Sequence, residues 1–167
     1  MRNAVLIIGG INVDVIYDIE RLPFEHEKLI AKSCVLAGGG SAANTAYWLA
    51  QLNLPVHLAG FTGKDVFGDY ALSALAAAGV DVSSVMRPAG YPTNIVSIFS
   101  NGRSKSMVLA AAHYGSAALE SLIAGILALN WDRIEVAPVS WTSEHLCFRS
   151  SRCERRSHLT RRNSGNG

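Results

Sequence analysis

The amino-acid sequence predicts an α/β fold, and three features carry that prediction. Short aliphatic and β-branched runs alternate with segments of helical period, glycine clusters stand at the junctions, and an Asn-Gly pair separates two apolar runs. At 167 residues the chain is long enough for one domain with a real core, or for part of a larger one. Hydrophobic residues make up 49% and charged residues 17%, below the roughly 25% usual in soluble domains, which excludes disorder for most of the chain.

Ala4–Ile8 is an aliphatic run closed by glycine, as a fully buried strand requires. It reads as a strand and not as a signal peptide, since Gly9-Gly10 follows without a small-residue cleavage site. Val13–Ile19 alternates Val13, Val15, Tyr17 and Ile19 with acidic neighbours, the pattern of a half-exposed strand ended by Pro23. Lys28–Leu36 is a further apolar run that Gly38-Gly39-Gly40 is expected to stop. From Ser41 the period becomes helical through Ala42, Ala46, Leu49 and Ala50, with Ser41 as the expected N-cap and Pro55 beyond the end. Val56–Ala59 reads as a buried strand, and Val66–Ala78 as a helix capped by Asp65 and closed by Gly79. Val80-Asp81-Val82 leads to Pro88. Asn94–Ser100 and Ser106–Ala111 then form a hairpin about Asn101-Gly102. A helix over Ala117–Leu129 and a short strand over Arg133–Ala137 complete the pattern, and the antiparallel strands are expected to project from the main sheet.

Beyond Pro138 the pattern stops. Residues 1–138 carry a charge balance of −2 and residues 139–167 one of +4, so the basic character belongs to the last segment and not to a binding face on the body. That segment holds six Arg and six Ser and no Lys, too little apolar surface to offset the entropy of ordering it. Three readings stand: a disordered tail, an RNA-binding arm, and out-of-frame translation of a longer gene. The last is favoured, because Arg without Lys and abundant Ser are what an arbitrary frame of GC-rich DNA gives. Nucleic acid is not the expected partner. Cys34, Cys147 and Cys153 are too few and too scattered for a disulfide framework or a zinc site, which makes a reducing cytoplasm the expected setting. No apolar run approaches the roughly 18 residues of a membrane span, and no membrane partner is expected.

Two glycine-centred clusters are candidates for chemistry. Gly9-Gly10-Ile11-Asn12-Val13-Asp14 lies at the carboxyl end of the first strand, where open α/β sheets bind ligands. The Asn12 amide and Asp14 carboxylate there can donate to and accept from hydroxyls, or merely stabilise a turn. Gly38-Gly39-Gly40-Ser41-Ala42-Ala43-Asn44 runs into a helix, whose free N–H groups and small residues leave room for a ligand and whose Asn44 can face the pocket of Asp14. A dinucleotide fingerprint is only loosely met, because no acid follows Leu58-Ala59-Gly60-Phe61 to hold a ribose hydroxyl. Gly63-Lys64 lacks the spacing of a phosphate-binding loop, and Asp65 reads as a helix cap. His113 reads as a loop residue. No Ser/His/Asp arrangement stands at a recognisable spacing, and no metal-ligand cluster is visible.

Taken in order, Gly9-Gly10-Ile11-Asn12-Val13-Asp14, Gly39-Gly40-Ser41-Ala42-Ala43-Asn44, Gly63-Lys64-Asp65 with Gly68, and Ala78-Gly79-Val80-Asp81 resemble the amino-terminal half of the ribokinase-like (PfkB) sugar and nucleoside kinases, over about residues 3–138. The resemblance implies a three-layer α/β sheet with a small β-lid drawn from about Val13–Leu36 and Asn94–Ala111, incomplete because the carboxy-terminal half is missing. It divides the chain into residues 1–138, part of a kinase domain, and the tail 139–167. It implies that Asp14, Gly39, Gly40 and Asn44, with Asn12 beside them, bind the hydroxyls of a sugar or nucleoside. In intact members the phosphoryl donor is ATP with Mg2+. The later Gly-Ala-Gly-Asp element, which supplies the anion hole and the base, does not occur in this sequence. Neither cofactor nor turnover is therefore expected of the chain alone, and no catalytic residue is assigned. A non-catalytic sugar- or nucleoside-binding module is the alternative, with a homodimer through the lid strands as the expected assembly.

Overall fold

The computed structural model describes residues 4–129. Their elements follow in the order β1 (Val5–Ile8), β2 (Asn12–Asp18), β3 (Ser33–Gly39), α1 (Ser41–Gln51), β4 (Val56–Phe61), α2 (Val66–Ala77), β5 (Val80–Met86), β6 (Asn94–Ser100), β7 (Lys105–Ala110) and α3 (Ser116–Ala128). The strand expected at Arg133–Ala137 and the segment 139–167 lie outside the described residues. No helix among the described residues is long and apolar enough to cross a membrane.

Side-chain alternation on the strands builds three layers. β1, β4 and β5 form a parallel sheet in the order β1-β4-β5. Ile7, Val56, Leu58 and Val80 point to one face and pack against Ala42, Ala43 and Ala46 of α1 and Ala71 and Leu75 of α2. Leu6, Ala59 and Phe61 point to the other, against Leu122 and Ile126 of α3. Alanines on α1 and α2 let both helices lie close to the sheet. β4 is buried along its whole length, His57 included.

β2, β3, β6 and β7 form a second, mixed sheet in the order β3-β2-β6-β7. β2 pairs antiparallel with β3 and parallel with β6, and β6 pairs antiparallel with β7. These are the strands expected as a lid. They make a sheet of their own and not a fringe on the first one.

Several boundaries differ from expectation, and four of the differences have a local reason. β3 begins only at Ser33, because residues 19–32 turn back on themselves: Lys32 N–H donates to the Asp18 carbonyl at 2.8 Å, and the Arg21 guanidinium pairs with Glu27 while lying 4.5 Å over the Phe24 ring. The Arg21 hydrogen bond holds the Glu27 carboxyl down at about 2. The glycines at 38 and 39 do not stop β3 but belong to it, opposite Val13 and Asn12. The N-cap of α1 is Gly40, without a side-chain cap bond, and Ser41 is already helical. The hairpin loop is four residues, closed by Asn101 Oδ1 accepting from the Arg103 and Ser104 N–H groups.

β5 was visible only at Val80-Asp81-Val82, because Asp81, Ser83 and Ser84 break its alternation. The β4–β5 register slips there, between the His57–Asp81 and Ala59–Ser84 pairs. His57, 2% exposed, bridges the irregularity: Nδ1 lies 2.9 Å from Asp81 Oδ2 and Nε2 lies 2.6 Å from Ser84 Oγ. The fold thus brings a Ser, a His and an Asp together that no recognisable spacing in the sequence joins. The three tie two strands together at the amino end of β4, away from the glycine clusters.

Leu58, fully buried at the centre of β4, is the most direct probe of this core. Leu58→Ala is expected to cost about 2–5 kcal/mol in urea denaturation, and Val108→Ala, on the exposed lid strand β7, under about 0.5 kcal/mol.

Candidate functional site

The first glycine cluster leaves the carboxyl end of β1 and enters β2 at Asn12. The second ends β3 at Gly39 and enters α1 at Gly40. The two meet at two close approaches, each in the place a Cβ would take. A side-chain carbon on Gly39 would collide with the Asp14 carboxylate, and one on Gly40 with the Gly10 carbonyl. Gly40 also has φ +94°, a conformation that favours glycine. The Ala43 N–H reaches the same Gly10 carbonyl at 3.4 Å, so the start of α1 is seated on the first cluster.

A cavity of about 280 Å³ opens at this junction. Asn12, Gly39 and Asn44 line it, together with Ile11, Gly38 and Ala43, and its far wall is formed by Tyr47, Trp48, Ala71, Ala74 and Leu75. Three of the five residues singled out in the sequence are thus brought to one cavity. Gly40 stands behind it as the helix cap. Asp14 lies outside the lining, on the same face of β2 as Asn12 and two residues further along the strand.

The strand register explains the electrostatics of Asp14. On that face Asn12 has Gly39 and Asn94 as its neighbours, and the next row outward is Ala37, Asp14, Val96 and Leu109. A carboxylate in an apolar row loses hydration, and burial raises its pKa. The following row, Val35, Ile16, Ile98 and Met107, is wholly apolar.

Sequence reasoning missed the aromatic wall of Tyr47 and Trp48, which three- and four-residue spacing from Asn44 signals. It also missed the part of Thr93. This residue, 3% exposed, stands at the root of β6, with its N–H donating to Asp65 Oδ2 at 2.8 Å and its hydroxyl to Asp65 Oδ1 at 2.6 Å. Asp65 caps α2 as expected, accepting from the Gly68 N–H at 2.9 Å. Burial alone would raise its carboxyl, but the bonds from Thr93, Gly68 and Phe67 outweigh burial and hold it below the ordinary value. His113 is exposed in the loop before α3. Among the described residues no three His, Cys, Asp or Glu side chains are grouped to hold a metal ion.

Residues 2–138 match the pfkB family carbohydrate kinase profile. The chain is 31% identical to a ribokinase of Arabidopsis thaliana over 112 residues, covering 65% of this chain and 30% of that protein. It is 41% identical to an ATP-dependent ribose-1-phosphate kinase of Halopiger xanaduensis over 81 residues, covering 48% and 27%. Among solved structures, Arabidopsis thaliana ribokinase complexed with ribose and ATP superposes with a TM-score of 0.63 at 27% identity, covering 72% of this chain and 42% of that one. The chain spans less than a third of the length of these two curated relatives.

The contact between Gly39 and Asp14 is testable by itself. Gly39→Ala is expected to destabilise by about 1–3 kcal/mol in the native background and by clearly less beside Asp14→Ala, a coupling that a double-mutant cycle in urea reads directly.

Proposed function

The chain belongs to the pfkB family of carbohydrate kinases, and on that premise we propose that it holds the sugar-binding and lid part of such an enzyme, with residues 1–138 as the amino-terminal part of the kinase domain and 139–167 outside it. The observation that carries this reading is the convergence of Asn12, Gly39 and Asn44 on one cavity, with Asp14 beside it on the lid face. The side-chain amides of Asn12 and Asn44 donate to and accept from hydroxyls, and the Asp14 carboxylate accepts from them. Gly38 and Gly39 border the cavity without side chains, and at Gly38 the space a Cβ would take is open. A volume of about 280 Å³ lies just below the usual 300–1,000 Å³ of ligand pockets, which suits a monosaccharide or the sugar of a nucleoside. The ribose held by the Arabidopsis relative is of that class.

In the intact family the phosphoryl donor is ATP with Mg2+, and the Gly-Ala-Gly-Asp element that the family resemblance ties to phosphoryl transfer does not occur in this sequence. No phosphoryl-transfer step is assigned to this chain. On this reading it binds a sugar reversibly, in the cytoplasmic setting that its three scattered cysteines favour. Phosphorylation of ribose from ATP by the purified chain would overturn that.

The lid supports a second element of the proposal, a homodimer. The row Val35, Ile16, Ile98 and Met107 crosses all four lid strands on one face, and Val35 and Met107 are more than half exposed. A second copy covering this row would bury it. Sedimentation velocity is expected to show a dimer that Met107→Lys converts to monomer.

Binding is tested by calorimetric titration of the chain with ribose. Asn44→Ala and Asp14→Asn are each expected to weaken binding about tenfold or more, the loss typical of a hydrogen bond to a charged or buried partner. Because burial raises the Asp14 pKa, its ionised form is disfavoured in the folded chain. Asp14→Asn is therefore expected to leave Tm unchanged or higher while weakening binding. For the native chain, affinity is expected to fall on acidification at a pH above the ordinary aspartate value, as the acceptor becomes protonated. Equal ribose affinity in all three proteins would contradict the assignment.

A further inference from the structure

We infer that Asp65 and Thr93 are a positioning pair that sets the lid over the cavity, a role beyond the capping of α2. The inference rests on the sugar-binding reading above.

A helix cap needs one acceptor for one N–H near the helix start. Asp65 Oδ1 supplies it to Gly68, yet the same oxygen also takes the Thr93 hydroxyl, and Oδ2 takes the Thr93 N–H from 28 residues away. The Thr93 hydroxyl in turn accepts from the Gly63 N–H at 3.0 Å and lies 3.1 Å from the Thr62 hydroxyl. The pocket for these groups is shaped around them. A Cβ on Gly63 would collide with Asp65 Oδ2 and the Thr93 nitrogen, and one on Gly68 with the Gly63 carbonyl. The end of β4, the start of α2 and the root of β6 are thereby joined through one carboxylate.

The consequence for the lid follows from register. Thr93 directly precedes Asn94, which pairs with Asn12 across the parallel β2–β6 ladder, and Val96 pairs with Asp14. Fixing the root of β6 therefore fixes the height of Asn12 and Asp14. Asn94 Oδ1 also accepts from the Ala112 N–H at 2.7 Å, which brings the end of β7 to the same root. Ala71, Ala74 and Leu75 of α2, the helix that Asp65 caps, form a wall of the cavity. The pair thus couples the wall to the lid, and its loss would let the lid swing while the three-layer core stays folded.

The test uses the full 167-residue chain and three variants. Thr93→Val removes the hydroxyl at nearly constant shape, Thr93→Ser keeps it, and Asp65→Ser keeps a cap but cannot span to Thr93. Ribose affinity, Tm, and hydrogen exchange of the β2 and β6 amides are measured on each. Thr93→Val and Asp65→Ser are expected to weaken ribose binding about tenfold and to speed exchange in β2 and β6. Exchange in β4 should stay as in the native chain, and Thr93→Ser should restore both readouts. If Thr93→Val and Asp65→Ser lower Tm but leave folded-state affinity and lid exchange unchanged, the pair is structural only and the inference is overturned. Should the native chain bind no ribose, the sugar-binding reading fails. Lid exchange then decides the coupling alone: faster exchange in Thr93→Val rescued by Thr93→Ser supports it, and unchanged exchange overturns it.

Discussion

Everything at the junction of sheet and lid depends on how closely two backbones approach. The Gly10 carbonyl lies against Gly40 at a separation where a methyl group would force the two backbones apart, and the Asp14 carboxylate occupies the place of a Gly39 methyl group and would have to turn away from one. The backbone approach seats the first turn of α1 on the segment that follows β1 and brings Asn12 and Asn44 to the same cavity. It also explains why alanine is tolerated two residues into α1 but not at its cap. Glycine costs conformational entropy, about 0.5–1 kcal/mol at each position relative to alanine within regular structure. The contacts it admits are the return on that cost.

Much of this was legible in the sequence because the relevant signals are local. The aliphatic run of β4, the Asp65 cap and Gly79 closure of α2, and the Asn101-Gly102 hairpin each depend on a few neighbouring residues. The candidate residues Asn12, Gly39 and Asn44 were found for a similar reason: glycine and amide clusters at strand ends are uncommon without a ligand or a tight turn. What escaped was decided by partners distant in the chain. β3 extends through its glycines because Gly38 and Gly39 pair with Val13 and Asn12 of β2, and β5 is held by a buried histidine from β4 that no spacing rule connects to Asp81 and Ser84. Thr93 carried no sequence signal, since a lone threonine before a strand is ordinary until its carboxylate partner is seen.

The lid has a polarity that the simple alternation of β2 only hints at. Rows across four strands run from amides at the hinge, through the partly dehydrated Asp14, to an apolar band and then a polar tip at Ser33, Asp18, Ser100 and Lys105. Placing a carboxylate next to an apolar band weakens its hydration, so a hydroxyl that displaces the remaining water meets a stronger acceptor than a fully exposed aspartate would be. The same dehydration costs stability in the empty chain. On the sugar-binding proposal, binding and folding therefore pull on this residue in opposite directions.

The most direct measurement of this account is a backbone NMR titration of the full chain with ribose. Shifts are expected to concentrate at Asn12–Asp14 and Gly38–Asn44, with smaller ones along α2 at Ala71–Leu75 and little change around His57 and Ser84. Shifts centred elsewhere, or none at saturating sugar, would contradict the central claim that these two glycine clusters form the sugar site.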